Sequence, residues 1–253
     1  MKILNTRYGN GASVVVRAIY ERHFEDTSHG FHPNRSCHTA LRDIKATFKG
    51  TRWFIEGDIK GFFDNIDHNI MIDILRERIS DERFLRLIRK FLNAGYMEKW
   101  TYNNTYSKTP QGGIISPILA NIYLDKFDKY IKEYADNFNR GRGRRLTQEY
   151  QRNRNQRNAL RWKLEAETDE NRQVELKSKI AEMRKKMLDI PATRDIDDAF
   201  RRLKYVRYAD DFLIGGIGSK EECEKIKADI TTFMSDKLKL DISQEKTLIT
   251  NAQ

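Results

Sequence analysis

The spacing of apolar and polar positions along this chain changes several times, and each change marks an element. From Ser36, apolar residues fall at Ala40, Leu41, Ile44 and Phe48, the three-to-four rhythm of a helix over 36–48 that a serine starts. WFIEGDI at 53–59 is short, aromatic and β-branched, and predicts a strand ended by the glycine-containing break after it. Behind Asp67 a helix is predicted over 68–79 with Met71, Ile74 and Leu75 inward. The next, over 81–94, carries Phe84, Leu87, Ile88, Phe91 and Leu92 at helical spacing until Gly95 stops it. In SPILANIYLDKFDKYIKEY, 116–134, Ser116 takes the cap and Pro117 the first helical position, where proline's missing N–H costs nothing. Its buried face is Ile118, Leu119, Ile122, Phe127, Tyr130 and Ile131.

LKYVRYADDFLIGG, 203–216, reads as two strands around an aspartate turn. Ser219 and Glu222 then form a capping box for a helix with Cys223, Ile226, Ile230, Phe233 and Met234 inside, and KTLITNA, 246–252, returns to β character. Strand, helices, strand, turn, strand, helix, strand is a βαββαβ order, the split βαβ unit of a ferredoxin-like antiparallel sheet backed by helices, so the fold class is α+β. In such a sheet the 53–59 strand lies beside the 203–216 hairpin although about 150 residues separate them. Asp58 then joins Asp210 and Asp211. Two carboxylates about 4 Å apart at an effective dielectric near 20 repel by about 4 kcal/mol, so the turn calls for a cationic partner. Three hard-oxygen donors suit Mg²⁺, which is commonly shared with substrate phosphates, and two such ions serve in-line phosphoryl displacement. Carboxylates alone leave polymerase and nuclease chemistry both open.

Charge narrows the partners. The 253 residues carry a net +10, with a pI near 9.5 and mean hydropathy −0.75, which favours polyanions and nucleic acid first. No apolar run approaches the ~20 residues that span a bilayer, and no secretory signal follows the short run Ala12–Val16, so no membrane partner and a cytoplasmic location are expected. Cys37 and Cys223 form no CxxC, and the histidines around Cys37 match no zinc spacing; they are expected to be ordinary loop and surface residues. Residues 139–186 hold 15 Lys or Arg against 7 Asp or Glu, hence +8 of the +10, over thin apolar content. They fit a solvated helical hairpin, a basic arm laid along RNA or DNA phosphates with Arg140, Arg142, Arg144 and Arg145 as RNA-binding candidates, or both.

Five ordered blocks resemble a family. SHGFHPNRSCHTAL (28–41), FIEGDIKGFFDNIDH (54–68), TPQGGIISPILANIYLD (109–125), YADD (208–211) and LKLDISQEKTLITNA (238–252) are similar to the motifs of reverse transcriptases, and among these to the bacterial group II intron-encoded proteins, or maturases. The resemblance implies a polymerase right hand: partial fingers at 1–50, palm at 51–138 and 201–253, and a basic helical insertion at 139–200. It implies metal ligation by Asp58, Asp210, Asp211 and the Ile59 carbonyl, with two Mg²⁺ ions, and a role for Lys246 as proton donor to pyrophosphate; a solvated lysine is the other reading. Phe63 falls at the family's aromatic steric gate, or simply packs, while Phe62 is expected in the core. Gln111, Gly112 and Gly113 match the segment against nucleotide and template, where glycine permits close approach or makes a tight turn. Tyr208 is implied beneath the primer end.

The implied activity is RNA-directed DNA synthesis from dNTP on an RNA template with a DNA primer, with intron RNA as a splicing partner and a homodimer as an open possibility. The sequence departs from the family pattern at His32, where an arginine is usual. The basic-proline-leucine-glycine fingers hairpin, primer grip, thumb and maturase region that the resemblance leads one to expect do not fall within these residues. A non-catalytic intron-RNA binding module and a retron-like enzyme are the alternative readings.

Overall fold

The computed structural model describes residues 2–93, 96–98, 101–103, 115–194, 197–243 and 245–252. It divides into two compact units, one formed by Met1–Asn139 with Arg202–Gln253, the other by Arg140–Arg201.

The first unit begins with α1 (Lys2–Tyr20), a 3₁₀ turn (Glu21–His23), α2 (Cys37–Thr47), β1 (Trp53–Asp58), the single turn α3 (Phe62–Asn65), α4 (His68–Arg76) and α5 (Glu82–Leu92). A small antiparallel hairpin, β2 (Tyr96–Glu98) with β3 (Thr101–Asn103), precedes α6 (Ser116–Phe138). The second unit contains α7 (Gln148–Ala166) and α8 (Glu170–Leu188). The chain then returns as β4 (Arg202–Tyr208), β5 (Asp211–Ile217), α9 (Lys220–Leu238) and β6 (Leu248–Asn251). The main sheet runs β4-β5-β1-β6 with every pair antiparallel, the ferredoxin-like order expected from the sequence.

Strand alternation gives the sheet two faces. Ile55, Ile59, Leu203, Tyr205, Phe212 and Ile214 bury one face in the main core with Ile118, Ile122, Tyr123 and Phe127 of α6 and Ile226, Ile230 and Met234 of α9. On the other face, Ala40 and Phe48 meet Val206, Phe54 and Leu213 in a second, smaller cluster. That cover reaches Val206 and Leu213, the same-face pair before Tyr208 and Asp211.

Local signals account for most helix starts. Ser36 and Thr39 make a reciprocal capping box, Asp67 and Asp81 each accept two backbone N–H groups, and Ser219 with Glu222 closes the predicted box. Several expectations need correction. Ser116 is the first helical residue and buried, while Ile115 stands at the cap with no side-chain bond. The helix also runs four residues past 134, to Phe138. Leu41 is 61% exposed, because α2 rests on the sheet through Ala40 and Ile44, with Phe48 just past its end. In α5 the buried line is Leu85, Ile88 and Leu92, which turns Phe84 and Phe91 to its margins. The predicted stop at Gly95 lies outside the described residues. α1 was not predicted: Ala12, Val16 and Tyr20, at i, i+4 and i+8, are all buried, and the Tyr20 hydroxyl donates to the Ile74 and Leu75 carbonyls at the end of α4, 3.2 Å each.

In the second unit, α7 starts at Thr147, which accepts from Tyr150 N, and α8 at Asp169, which accepts from Asn171 N and Arg172 N. Backbone bonds between Arg140 and Arg201, and from Arg194 N to Arg145 O, close its base. Helix α7 has no buried residue and α8 only Met187, as thin apolar spacing requires.

Candidate active site

Asp58 ends β1 and pairs in register with Asp211, the first residue of β5. Tyr208 pairs with Asp211 across the hairpin, leaving Ala209 and Asp210 as a two-residue turn. Paired residues share a face, so Tyr208, Asp58 and Asp211 stand together on the face that carries the α2 cluster, past the Val206–Leu213 pair. Gly57 makes this approach possible. It pairs with Phe212, whose ring would lie 2.0 Å from a Cβ at that position.

Beyond β1, Ser243 N donates to the Asp58 carbonyl and Lys60 N to the Asp241 carbonyl, 2.9 Å each. Those bonds bracket Ile59 opposite Ile242, which turns the Ile59 carbonyl toward the β5 edge where the acidic turn sits. Lys246 reaches back from the turn before β6 and places Nζ 2.9 Å from Asp58 Oδ2. Its neighbour is fastened by Thr247 N to the Ser243 carbonyl, 2.8 Å, and by Lys227 Nζ to the Thr247 carbonyl, 2.6 Å. The bond to Asp58, with the charges of Asp58, Asp211 and Asp210, raises the Lys246 ammonium above its ordinary value. Asp211 is raised in turn, by partial desolvation first and then by Asp210 and Asp58, with Lys246 acting against them. The repulsion foreseen from sequence is thus present, and an ammonium offsets part of it.

Among the described residues no three His, Cys, Asp or Glu side chains already form a metal cage. The donor chemistry nevertheless fits a hard divalent cation: two carboxylates in register, a third beside them, a carbonyl turned toward them, and a cationic side chain already drawn to the spot. Mg²⁺ characteristically takes one or two carboxylates and completes its shell with waters and substrate phosphates, so a protein cage is not required.

The inward face of the same hairpin carries a feature that sequence reasoning missed. Arg207, one residue before the turn's tyrosine, is fully buried beside the equally buried Asp128 of α6. Its Nε and Nη2 donate to the two Asp128 oxygens at 2.8 and 2.7 Å, and Asp128 Oδ1 also accepts from the Tyr205 hydroxyl at 2.6 Å. Burial pulls the guanidinium's pKa down, but the Asp128 carboxylate outweighs it and holds Arg207 above its usual value. Ser28 Oγ accepts from Arg207 Nη2 and lies 2.9 Å from His32 Nε2, whose Nδ1 is 2.7 Å from Glu21. His29 and His32 are therefore buried and hydrogen-bonded, not surface histidines. A signal was available: inward alternation from Leu203 and Tyr205 reaches Arg207, and Asn121, Asp125 and Asp128 share the helical stripe of Ile118 and Ile122.

Phe62 is buried against Tyr123, ring centroids 6.5 Å apart, as expected, while Phe63 is half-buried at the core's edge. Tyr208 is 40% exposed. Gln111, Gly112 and Gly113 lie outside the described residues. In the second unit Arg140 and Arg142 are exposed, and Arg145 holds Asp197 through Nη2 at 2.7 Å, Nε at 2.8 Å and its backbone N at 2.6 Å. That bonding drives the Asp197 carboxyl far below the usual range and gives Arg145 a bracing function inside the unit. A groove of about 590 Å³ between α7 and α8 is rimmed by Arg161, Lys177 and Arg184 and floored by Leu164 and Ile180.

The model of the family described as reverse transcriptase (RNA-dependent DNA polymerase) matches residues 3–147, more than half of the chain. The chain belongs to the reverse transcriptase family. This reverse transcriptase chain is 48% identical over 240 residues to the group II intron-encoded protein LtrA of Lactococcus lactis subsp. cremoris, covering 94% of itself and 39% of LtrA. It is 43% identical over 242 residues to an uncharacterized 91 kDa protein in the cob intron of Schizosaccharomyces pombe, covering 28% of it. The chain thus spans about two fifths or less of these relatives. The structure of apo telomerase from Candida tropicalis aligns with 98% of this chain and 36% of its own, at 10% identity and a TM-score of 0.49.

Proposed function

We propose that this chain is the fingers and palm of an RNA-directed DNA polymerase in a group II intron-encoded maturase, adding dNTP to a primer 3′-hydroxyl on an RNA template. The observation that carries the reading is the register pairing of Asp58 with Asp211 beside the Asp210 turn, capped by Lys246. Asp58, Asp210, Asp211 and the Ile59 carbonyl would hold two Mg²⁺ ions. When bound, these supply charge neutralisation on the phosphates and activation of the attacking hydroxyl.

The protein's own groups do the rest. Lys246 is placed to leave Asp58 for a triphosphate and to give the departing pyrophosphate a proton from Nζ. Phe63 offers a rigid ring against a 2′-hydroxyl, and Tyr208 an exposed ring beside the acidic turn for the primer end. Gln111, Gly112 and Gly113 are proposed at the nucleotide and template. Residues 140–201 are proposed as a surface for intron RNA. The groove's basic rim, the 70% exposed Trp162 between Arg161 and Lys163, and exposed Arg140 and Arg142 support that assignment.

Primer extension tests the site on a protein that carries these motifs at full length. Asp210→Ala and Asp58→Asn should lose Mg²⁺-dependent RNA copying while RNA affinity stays within about threefold, since one neutralised carboxylate removes no phosphate contact. Phe63→Ala should begin to accept ribonucleotides. Continued polymerisation by Asp210→Ala would end the metal assignment.

A further inference from the structure

Arg207 makes no contact with solvent, yet all of its donors are committed, and not to one partner. Nε and Nη2 grip Asp128, Nη2 also reaches Ser28 Oγ at 2.7 Å, and Nη1 donates to Asn121 Oδ1 at 3.2 Å and to the Ala209 carbonyl at 2.7 Å. Its main chain adds two more ties to the same neighbourhood: Arg207 N donates to the Thr27 carbonyl and His29 N to the Arg207 carbonyl, 2.9 Å each. Asn121 closes the ring by donating to the Gly30 carbonyl at 2.7 Å.

The residue so held is unusual. Ala209 has φ +56°, a left-handed conformation that a non-glycine residue keeps only where its surroundings over-determine it. Gly30 presses directly on it, because a Cβ there would stand 2.3 Å from Ala209 N and 2.9 Å from its Cα. One guanidinium therefore binds the turn through Ala209, the 28–32 segment through Ser28, and α6 through Asp128 and Asn121.

We propose that Arg207 is a positioning residue, a buried strut that makes the Tyr208–Asp211 turn and the 28–32 segment move as one body and so sets where Asp210 and Asp211 stand. Its catalytic consequence rests on the polymerase reading; the mechanical coupling does not. A purely stabilising ion pair would need only the Asp128 contacts, and buried pairs of that kind are often replaceable without loss of stability. The bonds to Ala209 and Ser28 are what a lysine cannot reproduce. An ammonium satisfies Asp128 from a single point and cannot fork to three elements.

Hydrogen exchange read by mass spectrometry on the ligand-free chain decides the coupling. Arg207→Lys should speed exchange across 28–32 and 207–211 by about tenfold, the effect of one or two lost hydrogen bonds, while β1 and α6 stay as in wild type. Ser28→Ala, a change too small to prevent folding, should loosen both segments together by a lesser factor. Equal acceleration everywhere would make Arg207 a stability element, and loosening of 28–32 without the turn would break the strut; either result overturns the proposal. In primer extension by the full-length protein, Arg207→Lys should lower kcat by about a hundredfold, the scale of a misplacement near 1 Å, with KM for dNTP within twofold. A raised KM at unchanged kcat overturns the positioning role. If the wild type copies no RNA the polymerase reading falls, and the exchange data still judge the strut.

Discussion

His32 shows how much one side chain's surroundings decide. Ser28 Oγ accepts from Arg207 Nη2 and lies 2.9 Å from His32 Nε2, and His32 Nδ1 lies 2.7 Å from Glu21, so the ring is held at both nitrogens. Burial is the main cause of its lowered pKa, with Arg35 and Arg207 acting the same way and Glu21 against them. A histidine whose folded pKa lies below its unfolded one binds fewer protons when folded, so its contribution is intact above about pH 6.5 and declines as pH falls through that value toward the folded pKa. His29, lowered chiefly by burial and opposed by Asp43, titrates in the same direction. Urea midpoints should therefore fall between pH 7 and pH 5, and His32→Gln should flatten part of that fall, the His29→Gln double variant more of it. A slope untouched by both changes would mean that other groups govern acid sensitivity. The usual arginine of the family would bring a second fixed cation toward Arg207, so the histidine suits this interior.

Elements were legible where a local chemical signal agreed with packing. Asp67, Asp81 and the Ser219–Glu222 box start helices as read, because a cap depends on residues within one turn. Ser116 misled because a serine before a proline looks like a cap, whereas packing buries it and begins the helix there. Helix α1 hid behind Gly9, Gly11 and three consecutive valines, all poor helix formers, until the stripe Ala12, Val16 and Tyr20 found the core. The Asp58–Asp211 pairing was legible from strand order alone; of the Arg207–Asp128 pair only the inward faces were legible, because alternation and helical spacing turn both residues inward without showing that they meet. Register has its own test at Gly57. Gly57→Ala forces the Phe212 ring aside next to Asp211 and should cost about 1–3 kcal/mol in urea denaturation, the range for overpacked cores. Phe212→Leu in the same chain should recover part of that loss. Additive losses would show that the two side chains do not collide.

At the scale of the molecule, charge and core are segregated in sequence. Residues 139–186 carry +8 of the net +10, while the large apolar cluster is built from the Met1–Asn139 and Arg202–Gln253 segments. Those segments rejoin tightly: Asn139 Oδ1 accepts from Leu203 N at 2.7 Å, so the first unit's sheet is tied to the end of α6 on its own account. Replacing 140–201 by a short Gly/Ser linker of about four residues closes a loop of ordinary length. The shortened chain should melt within about 4 °C of the intact one, the shift that about 1 kcal/mol produces at this size. Its affinity for structured RNA should drop, and the dependence of log K on log salt should flatten by about 0.7–0.9 for each phosphate contact removed. An unchanged slope would return the helical unit to a solvated scaffold and send the search for the RNA surface back to α1, α2 and the acidic turn's surroundings. A collapse of folding would instead show that the first unit's core depends on the insertion, contrary to the way its buried residues are distributed.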